Sequence, residues 1–312
     1  MNHDPKALLI GTWYGILAYI LWGILPIYWK LLEHVPAGEV LSHRIVWSLV
    51  FMIVVLILMK KWGTFVKDLK EIFKQKKLVL GTLLASILIS INWFTYIYAV
   101  NTDRIIETSL GYYINPLISV LLGVLVLKEK LSFWQMISCI LALIGVLYLT
   151  IQFGSFPWMA FCLAISFGLY GLVKKMVNLG AMTGLTIETF MVTPVALGYI
   201  VFLAGGETQH FVLSDTQTVW LLAAGGAATA IPLLCFASGA RRVPLSLLGF
   251  LQYIAPTLHL TIGVFMYHEP FTQVHLVSFI LIWTALFIFS FGKTKWMTRL
   301  EPKAFKTKSL QG

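Results

Sequence analysis

The feature that most limits the fold of this chain is a series of ten apolar stretches, each long enough to cross a bilayer. A spanning helix needs about 20 mostly apolar residues, and only 12% of the 312 residues are charged. Stretches of this length without two-residue alternation do not fit the strands of an outer-membrane barrel. The sequence therefore predicts an all-α membrane protein and excludes an ordinary soluble enzyme. The ten predicted spans are 7–28, 36–59, 77–98, 104–127, 131–151, 155–173, 184–204, 217–238, 244–267 and 272–292.

The basic residues between these spans are distributed very unevenly. If the N-terminus is cytoplasmic, 20 of the 23 Lys and Arg residues fall on cytoplasmic connections and only two, Lys30 and Arg104, on the opposite side. Cytoplasmic connections of membrane proteins carry such an excess. We therefore expect both termini in the cytoplasm, with the basic residues setting orientation and not forming a nucleic-acid surface. The cytoplasmic residues are Lys6, seven lysines in the 60–77 loop, Lys128, Lys130, Lys174, Lys175, Arg241, Arg242 and six in the tail.

The two halves of the chain repeat one pattern. Residues 113–129, YINPLISVLLGVLVLKE, and residues 253–269, YIAPTLHLTIGVFMYHE, share six identities, including a Tyr, a Pro, a Gly and a Glu. This predicts five-helix units over 7–151 and 155–292, followed by a basic cytoplasmic tail, 293–312. Because five is odd, the second unit enters the membrane upside down, and inverted repeats are typical of transporters. Duplication without transport is the alternative.

Two further stretches carry a resemblance to a known family. GILAYILWGILPIYWKLL begins at Gly15, and NTDRIIETSLGYYINPL runs from Asn101 to Leu117. With the repeat-ending Y-I-x-P…G-V…E pattern, they resemble the EamA family of the drug/metabolite transporter superfamily, and in particular its RarD branch. The resemblance covers nearly the whole chain except the 60–77 loop and the tail. It implies a multi-pass permease of a bacterial-type inner membrane and assigns no binding residues.

Polar side chains inside the predicted spans are candidates for solute binding or translocation, because ionisable groups are costly in a bilayer. From the topology, His43 and Glu107 belong to the outer half, whereas Asn115 lies near the midplane. Glu188 alone lies in the inner half, and at an offset of 145 it is the repeat partner of His43. This arrangement suits alternating access, with the pair relaying protons. The candidates are His43, Arg44, Glu107, Asn115, Tyr113, Glu188, Gln252, Tyr253 and His259.

Structural roles compete for several of these residues. Arg44 fits an ion pair with Glu107 or Glu39 as well as contact with a solute. Glu39 is also near enough to the start of its helix to reach the membrane interface. His259 fits a core histidine with satisfied hydrogen bonds as well as a cavity histidine.

Two prolines lie within predicted spans at equivalent positions of the repeat. Pro116 and Pro256 each remove a backbone hydrogen bond and free a carbonyl group. In a membrane, a freed carbonyl survives only where protein or a water-filled cavity satisfies it. Both prolines are therefore predicted to be gating kinks.

The basic segments outside the spans predict surface structure. The spacing of the apolar residues in the 60–77 loop predicts a short basic amphipathic helix, which we expect on the anionic cytoplasmic leaflet. These apolar residues are Phe65, Leu69, Ile72 and Phe73. The tail after 292 is predicted to be a frayed basic end.

Known motifs point away from motors and metal chemistry. The chain contains neither G-x-x-x-x-G-K-[ST] nor H-E-x-x-H, and its three cysteines have no metal-ligand spacing, so we expect no cofactor and no metal. The sequence predicts a gradient-driven secondary transporter, not an enzyme, with a small organic metabolite or drug-like solute, the lipid bilayer and protons as partners. An intramembrane enzyme and a non-transporting assembly or signalling subunit are the alternatives.

Overall fold

The computed structural model describes residues 5–101, 105–152, 156–177, 179–205, 211, 215–267, 272–292 and 294–302, without the side chains of 97, 100, 101, 105–109 and 295. Within these ranges the chain forms helices and no strands. The helices are α1 Pro5–Lys30, α2 Ala37–Leu58, α3 Trp62–Lys74, α4 Lys76–Asn101, α5 Ile105–Leu125, α6 Phe133–Gln152, α7 Trp158–Met176, α8 Ala181–Gly205, α9 Thr216–Ala240, α10 Leu245–Leu251, α11 Ile254–Met266, α12 Gln273–Phe291 and α13 Lys295–Arg299.

Ten of these segments correspond to the ten predicted spans. Nine are long and apolar enough to cross a membrane, if α10 and α11 are taken as one, and α5 supplies the tenth with its apolar stretch Leu110–Leu125. Large apolar side chains point outward along the bundle; Trp13 is 62% exposed and Phe202 is 75% exposed. A bundle with this surface needs an apolar solvent. The prediction of an all-α membrane protein with ten spanning helices is confirmed.

The contacts between helices have the symmetry of an inverted repeat. In chain order the first unit consists of α1, α2, α4, α5 and α6, and the second of α7, α8, α9, α10–α11 and α12. The packing of α1 on α9 has its counterpart in α4 on α7, and the packing of α2 on α9 has its counterpart in α4 on α8. Likewise α1 on α11 corresponds to α5 on α7, while α2 on α8 and α6 on α12 are their own counterparts. The two units thus pack against each other about a pseudo-two-fold axis.

Glycines allow the closest of these contacts. A Cβ atom on Gly226 of α9 would lie 2.3 Å from the backbone carbonyl carbon of Trp47 in α2. A Cβ atom on Gly239 would lie 3.1 Å from the backbone oxygen of Gly11 in α1. Helices in lipid associate through such close backbone approaches, so these glycines serve packing.

The ninth span is broken in its middle. Pro256 has no N–H for the carbonyl of Gln252, and Ala255 bonds that carbonyl instead at 3.2 Å, in a tighter turn. The helix therefore stops at Leu251 and restarts at Ile254. Pro256 lies in the first turn of α11 and not at the middle of a continuous helix, so the predicted open carbonyl is wrong there. Pro116, by contrast, lies inside the continuous helix α5.

The segments outside the membrane are partly as predicted. The amphipathic 60–77 helix is present as α3, and Thr183 of α8 donates a hydrogen bond to its Asp68 at 2.9 Å. The tail is not frayed from its start, because α13 packs against α6: Trp134 Nε1 donates to the Met297 carbonyl at 2.7 Å. Residues 303–312 are outside the described part of the chain.

Candidate functional site

Polar and aromatic side chains form a column through the bundle between the two units. We call the end of the bundle where α1 begins the N-terminal end, and the opposite end the distal end. The column has three levels: a cationic cluster toward the distal end, an aromatic layer in the middle, and an ion pair toward the N-terminal end.

Arg44 is the centre of the distal cluster. It lies two turns into α2, and its Nε donates a hydrogen bond to Thr229 Oγ1 of α9 at 3.0 Å. Its guanidinium carbon lies 4.4 Å from the centre of the Trp29 ring in the last turn of α1, within the range of a cation–π contact. The cluster is completed by the phenol groups of Tyr28, Tyr96 and Tyr112, which lie near Arg44. We call these six residues the Arg44 cluster.

Among the described contacts of Arg44 there is no carboxylate of the kind that the sequence suggested. Glu39 is only 1% exposed and accepts a hydrogen bond from the backbone N–H of Phe211 at 3.0 Å. Its pairing with Arg44 and its place at the membrane interface stay predictions. The side chain of Glu107 lies outside the described residues. Among the described side chains, Arg44 contacts a hydroxyl and an aromatic ring but no carboxylate.

His43, the residue before Arg44, is buried on a different face of α2. Its ring stacks on Phe211, with ring centres 4.5 Å apart and planes at 22°. Its Nε2 is buried and, within the described ranges, makes no hydrogen bond. A buried imidazole nitrogen without a partner is a vacant acceptor or donor, so His43 stays a candidate for proton binding.

His259 is a core histidine that borders the Arg44 cluster. Its Nε2 lies 3.1 Å from the carbonyl oxygen of Trp22 in α1. Pro26, four residues after Trp22, has no N–H to bond that carbonyl, so the histidine satisfies an acceptor that a proline has freed. The same ring meets Tyr112 edge-on, with centres 5.8 Å apart.

The middle of the column is a layer of aromatic rings contributed by α1, α7 and α9. Neighbouring ring centres are 5.2 to 6.3 Å apart, in stacked, tilted and edge-on pairs. One hydroxyl in this layer, that of Tyr19, is buried and has no hydrogen-bond partner among the described residues. The layer consists of Tyr19, Trp22, Phe167, Tyr170 and Phe236.

The ion pair at the N-terminal end joins Glu188 of α8 to Lys174 of α7. Lys174 Nζ lies 2.7 Å from Glu188 Oε1, and the two side chains are 9% and 4% exposed. Tyr170 donates a hydrogen bond to Glu188 Oε2 at 3.1 Å. Sequence reasoning missed this partner because it placed Lys174 in a cytoplasmic loop as an orientation signal, which is wrong. The spacing of Tyr170 and Lys174, one helical turn apart, was the available signal.

Two small clefts border Glu188. One lies toward the N-terminal end and is also bordered by Lys174, Gly81 and Arg241. The other lies toward the aromatic layer and is also bordered by Trp93 and Tyr170. Glu188 lines both clefts, and its partner Lys174 lines the first.

The remaining candidates lie in a second packing region around α5, α10 and α12. Tyr113 donates to the Pro256 carbonyl at 3.5 Å and packs edge-on against Phe279. Asn115 and Tyr253 are buried, and Asn115 Oδ1 and the Tyr253 hydroxyl have no partner in the described structure. The structure does not bring them to the column. Gln252, at the end of α10, is also buried.

Known proteins resemble this chain over most of its length. The sequence matches the EamA-like transporter family twice, over residues 9–151 and 156–291. It is 50% identical to the uncharacterized transporter YojE of Bacillus subtilis, over 92% of this chain and 95% of that protein. It is 41% identical to the protein RarD of Escherichia coli, over 92% and 95%. It is 28% identical to the chloramphenicol-sensitive protein RarD of Pseudomonas aeruginosa, over 89% and 92%.

A solved crystal structure has the same fold. That protein is 19% identical in sequence and superposes with a TM-score of 0.67, over 89% of this chain and 96% of that chain. At this level of identity, the likeness concerns the arrangement of the helices and not the function.

Proposed function

The chain belongs to the EamA-like transporter family, and from this premise we propose that it is a secondary transporter for a small organic metabolite or drug-like solute. Membership and the names of the relatives support a membrane transporter in general. The proposal adds alternating access, in which the column between the two units opens to one side of the membrane at a time.

The observation that carries this proposal is the position of Glu188, which pairs with Lys174 and lines two small clefts. A transporter needs a barrier that can open without unfolding its helices. An ion pair between neighbouring helices is such a barrier, because its bond can be exchanged for a bond to a proton or a solute. When Glu188 is protonated or binds a solute cation, Lys174 is released and the two clefts can join.

A proton gradient is the energy source we propose. The sequence has no nucleotide-binding motif, so uphill transport must use a gradient. Glu188 toward the N-terminal end and His43 toward the distal end are repeat partners, and both side chains are buried. In alternating access, one of the two is exposed to water in each state and can exchange its proton there.

The broken ninth span supplies the moving part in this proposal. Discontinuous helices are common at transporter sites because a break provides a hinge. Pro116 of α5 lies beside this helix: a Cβ on Gly249 of α10 would be 2.9 Å from the Pro116 carbonyl oxygen. Pro116 and Pro256 would then bend together as the gate. We further propose the two units at 7–151 and 155–292, with both termini on the cytoplasmic side of the inner membrane.

The test is transport by the full chain in lipid vesicles with an imposed pH gradient. The panel contains labelled amino acids, organic carboxylates, organic amines and chloramphenicol, the last because a relative's name refers to it. We expect at least one class to accumulate above equilibrium, and we expect the Glu188→Gln variant to support only downhill flux or exchange. Glu71→Gln, an exposed carboxylate of α3, is the matched control and should transport normally.

Two results would contradict parts of this proposal. If no solute accumulates in the vesicles above its equilibrium concentration, proton coupling is wrong and the protein is a facilitator of downhill diffusion. Failure of every class to cross, with folded protein in the vesicles, would reject the transporter itself.

A further inference from the structure

We infer that the Arg44 cluster binds the carboxylate of an organic anion whose body is flat and apolar. This inference rests on the proposed function and names the class of solute that the column carries. It is built on the geometry of the guanidinium group, on the charge around it and on the aromatic rings beside it.

The guanidinium group has donors to spare. Its face is occupied by Trp29, and its Nε is used by Thr229. The two Nη amino groups make no hydrogen bond in the described part of the chain. Stacking uses the face of a guanidinium and leaves its in-plane N–H groups available. The edge that remains is the fork that binds a carboxylate with two parallel hydrogen bonds.

The charge balance at Arg44 also calls for an anion. A cation inside a membrane span normally pairs with an acidic group, and the described carboxylate nearest in sequence, Glu39, is engaged by Phe211. The hydroxyl groups around Arg44 supply dipoles and not charge. Among the described side chains no carboxylate contacts Arg44, so a solute carboxylate supplies negative charge there and is favoured over a neutral solute, whereas an amine is repelled.

The aromatic rings around Arg44 suit an aromatic or other flat body. Gly225 of α9 brings its helix close to them: a Cβ on it would be in van der Waals contact, 3.6 Å from both Arg44 Cγ and the Trp29 ring. Rings that stack or meet edge-on with Trp29 and Tyr96 gain aromatic contacts in addition to burial.

The column offers the same chemistry at its other end. Lys174 is a second cation, held by Glu188 until that carboxylate is neutralised. A carboxylate released from Arg44 can pass the aromatic layer and meet Lys174 in exchange for Glu188. Both levels then prefer the same class of solute, as a carrier with two access states requires.

The experiment measures binding to purified full-length protein in detergent, by thermal stability and tryptophan fluorescence. The probes are benzoate, benzamide and benzylamine, which have the same ring and differ in charge. We expect benzoate to stabilise the protein and the other two to do little. Arg44→Gln should weaken benzoate binding about 10- to 100-fold, the range of a hydrogen bond to a charged group. The benzoate affinity of Arg44→Lys should fall between that of the natural protein and that of Arg44→Gln. Lysine keeps the positive charge but loses the two parallel donors of the guanidinium group.

Two further variants keep the test informative if Arg44→Gln folds poorly. Gly225→Leu places a larger side chain against Arg44 and Trp29 without changing charge, and should also abolish benzoate binding. Lys30→Gln removes a cation at the same end of the bundle that pairs with Glu33 at the surface, and should leave benzoate binding unchanged.

Equal stabilisation by benzamide or by sulfate would overturn the inference, as would full benzoate binding in Gly225→Leu. A failure of this inference can be distinguished from a failure of the proposed function. Vesicles that transport an amine, with no benzoate binding, would reject the solute class and keep the transporter. Arg44-dependent benzoate binding without any flux would keep the site and reject transport.

Discussion

The Nε2 atom of His259 lies 3.1 Å from the carbonyl oxygen of Trp22, an acceptor that α1 cannot satisfy itself because Pro26 lacks the N–H that would bond it. The contact joins α1 of the first unit to α11 of the second. The carbonyl that Pro26 leaves unbonded in one helix is thus satisfied by a side chain from the other unit, which couples the two proline-containing helices.

Loss of this contact should destabilise the protein in a way that depends on Pro26. His259→Phe leaves the Trp22 carbonyl buried without a donor, which costs about 1–3 kcal/mol in the free energy of unfolding. In a Pro26→Ala background the helix can bond that carbonyl itself, and the same substitution should cost about 1 kcal/mol less. Unfolding in detergent measures this double-mutant cycle. An equal cost in both backgrounds would show that the histidine does not satisfy the carbonyl.

The Glu188–Lys174 pair should be more sensitive to loss of one partner than of both. Lys174→Met leaves a buried carboxylate without its cation, and removing one member of such a pair costs about 3–5 kcal/mol. The double variant Lys174→Met, Glu188→Gln leaves no uncompensated charge and should recover most of that loss. Thermal unfolding of the three proteins tests this. The Lys70→Met variant changes an exposed lysine on α3 and is the control. A double variant as unstable as Lys174→Met would contradict the expectation.

The sequence was sufficient to predict the helices, because each helix depends on local properties of its own segment of the chain. Length, low charge and capping residues such as Pro36 and Pro244 place the ends of the spans within a few residues of those in the structure. The inverted repeat was also predictable, because two units with an odd number of spans must face opposite ways. The packing of α1 on α9 and of α4 on α7 follows from that symmetry.

The partners of the polar residues were not predictable, because they depend on contacts between helices. Lys174 appeared to belong to a loop, since a basic residue near a span end is usually at the surface; only the position of Glu188 on α8 reveals its role. For Glu39 the sequence left the interface and an ion pair with Arg44 open, because only the fold shows that Phe211, 172 residues later, supplies a hydrogen bond to it. The break at Gln252 was hidden because one proline does not show whether a helix bends or stops.

Asp215 gives the first turn of α9 a stability that depends on pH. Hydrogen bonds from the side chain and the backbone N–H of Thr218 favour the ionised carboxylate, which lowers the pKa of Asp215. A lowered pKa contributes stability that is fully present above the unfolded value and is lost as pH falls through the folded value. Protection of this turn from hydrogen exchange should therefore be constant near neutral pH and decrease in acid.

Asp215→Asn separates the charge from the cap. The amide oxygen can still accept the Thr218 hydrogen bond, but it does not titrate, so the loss of protection in acid should be smaller than in the natural protein. Glu71→Gln on α3 is the control and should follow the natural protein. An unchanged acid response in Asp215→Asn would mean that another group titrates.

Glu129 should hold the start of the broken ninth span. Its Oε1 accepts the N–H of Leu245 at 2.6 Å, and its Oε2 accepts both the N–H and the hydroxyl of Ser246, at 2.9 and 2.7 Å. The first N–H groups of a helix have no partner within it, and a carboxylate there is also favoured by the helix dipole. Glu129 follows α5 of the first unit, so this contact fixes α10 of the second unit to it.

Glu129→Ala should therefore loosen α10 selectively. The amides of residues 245–251 should exchange about 10- to 100-fold faster, as expected for hydrogen bonds to a charged group, while those of α12 remain protected. Glu129→Gln keeps one acceptor oxygen and should have an intermediate effect. Lys128→Ala changes the preceding, exposed residue and serves as the control. If α10 exchanges at the same rate in Glu129→Ala and in the control, the carboxylate does not hold the helix, and its three contacts contribute nothing measurable to the position of the broken span.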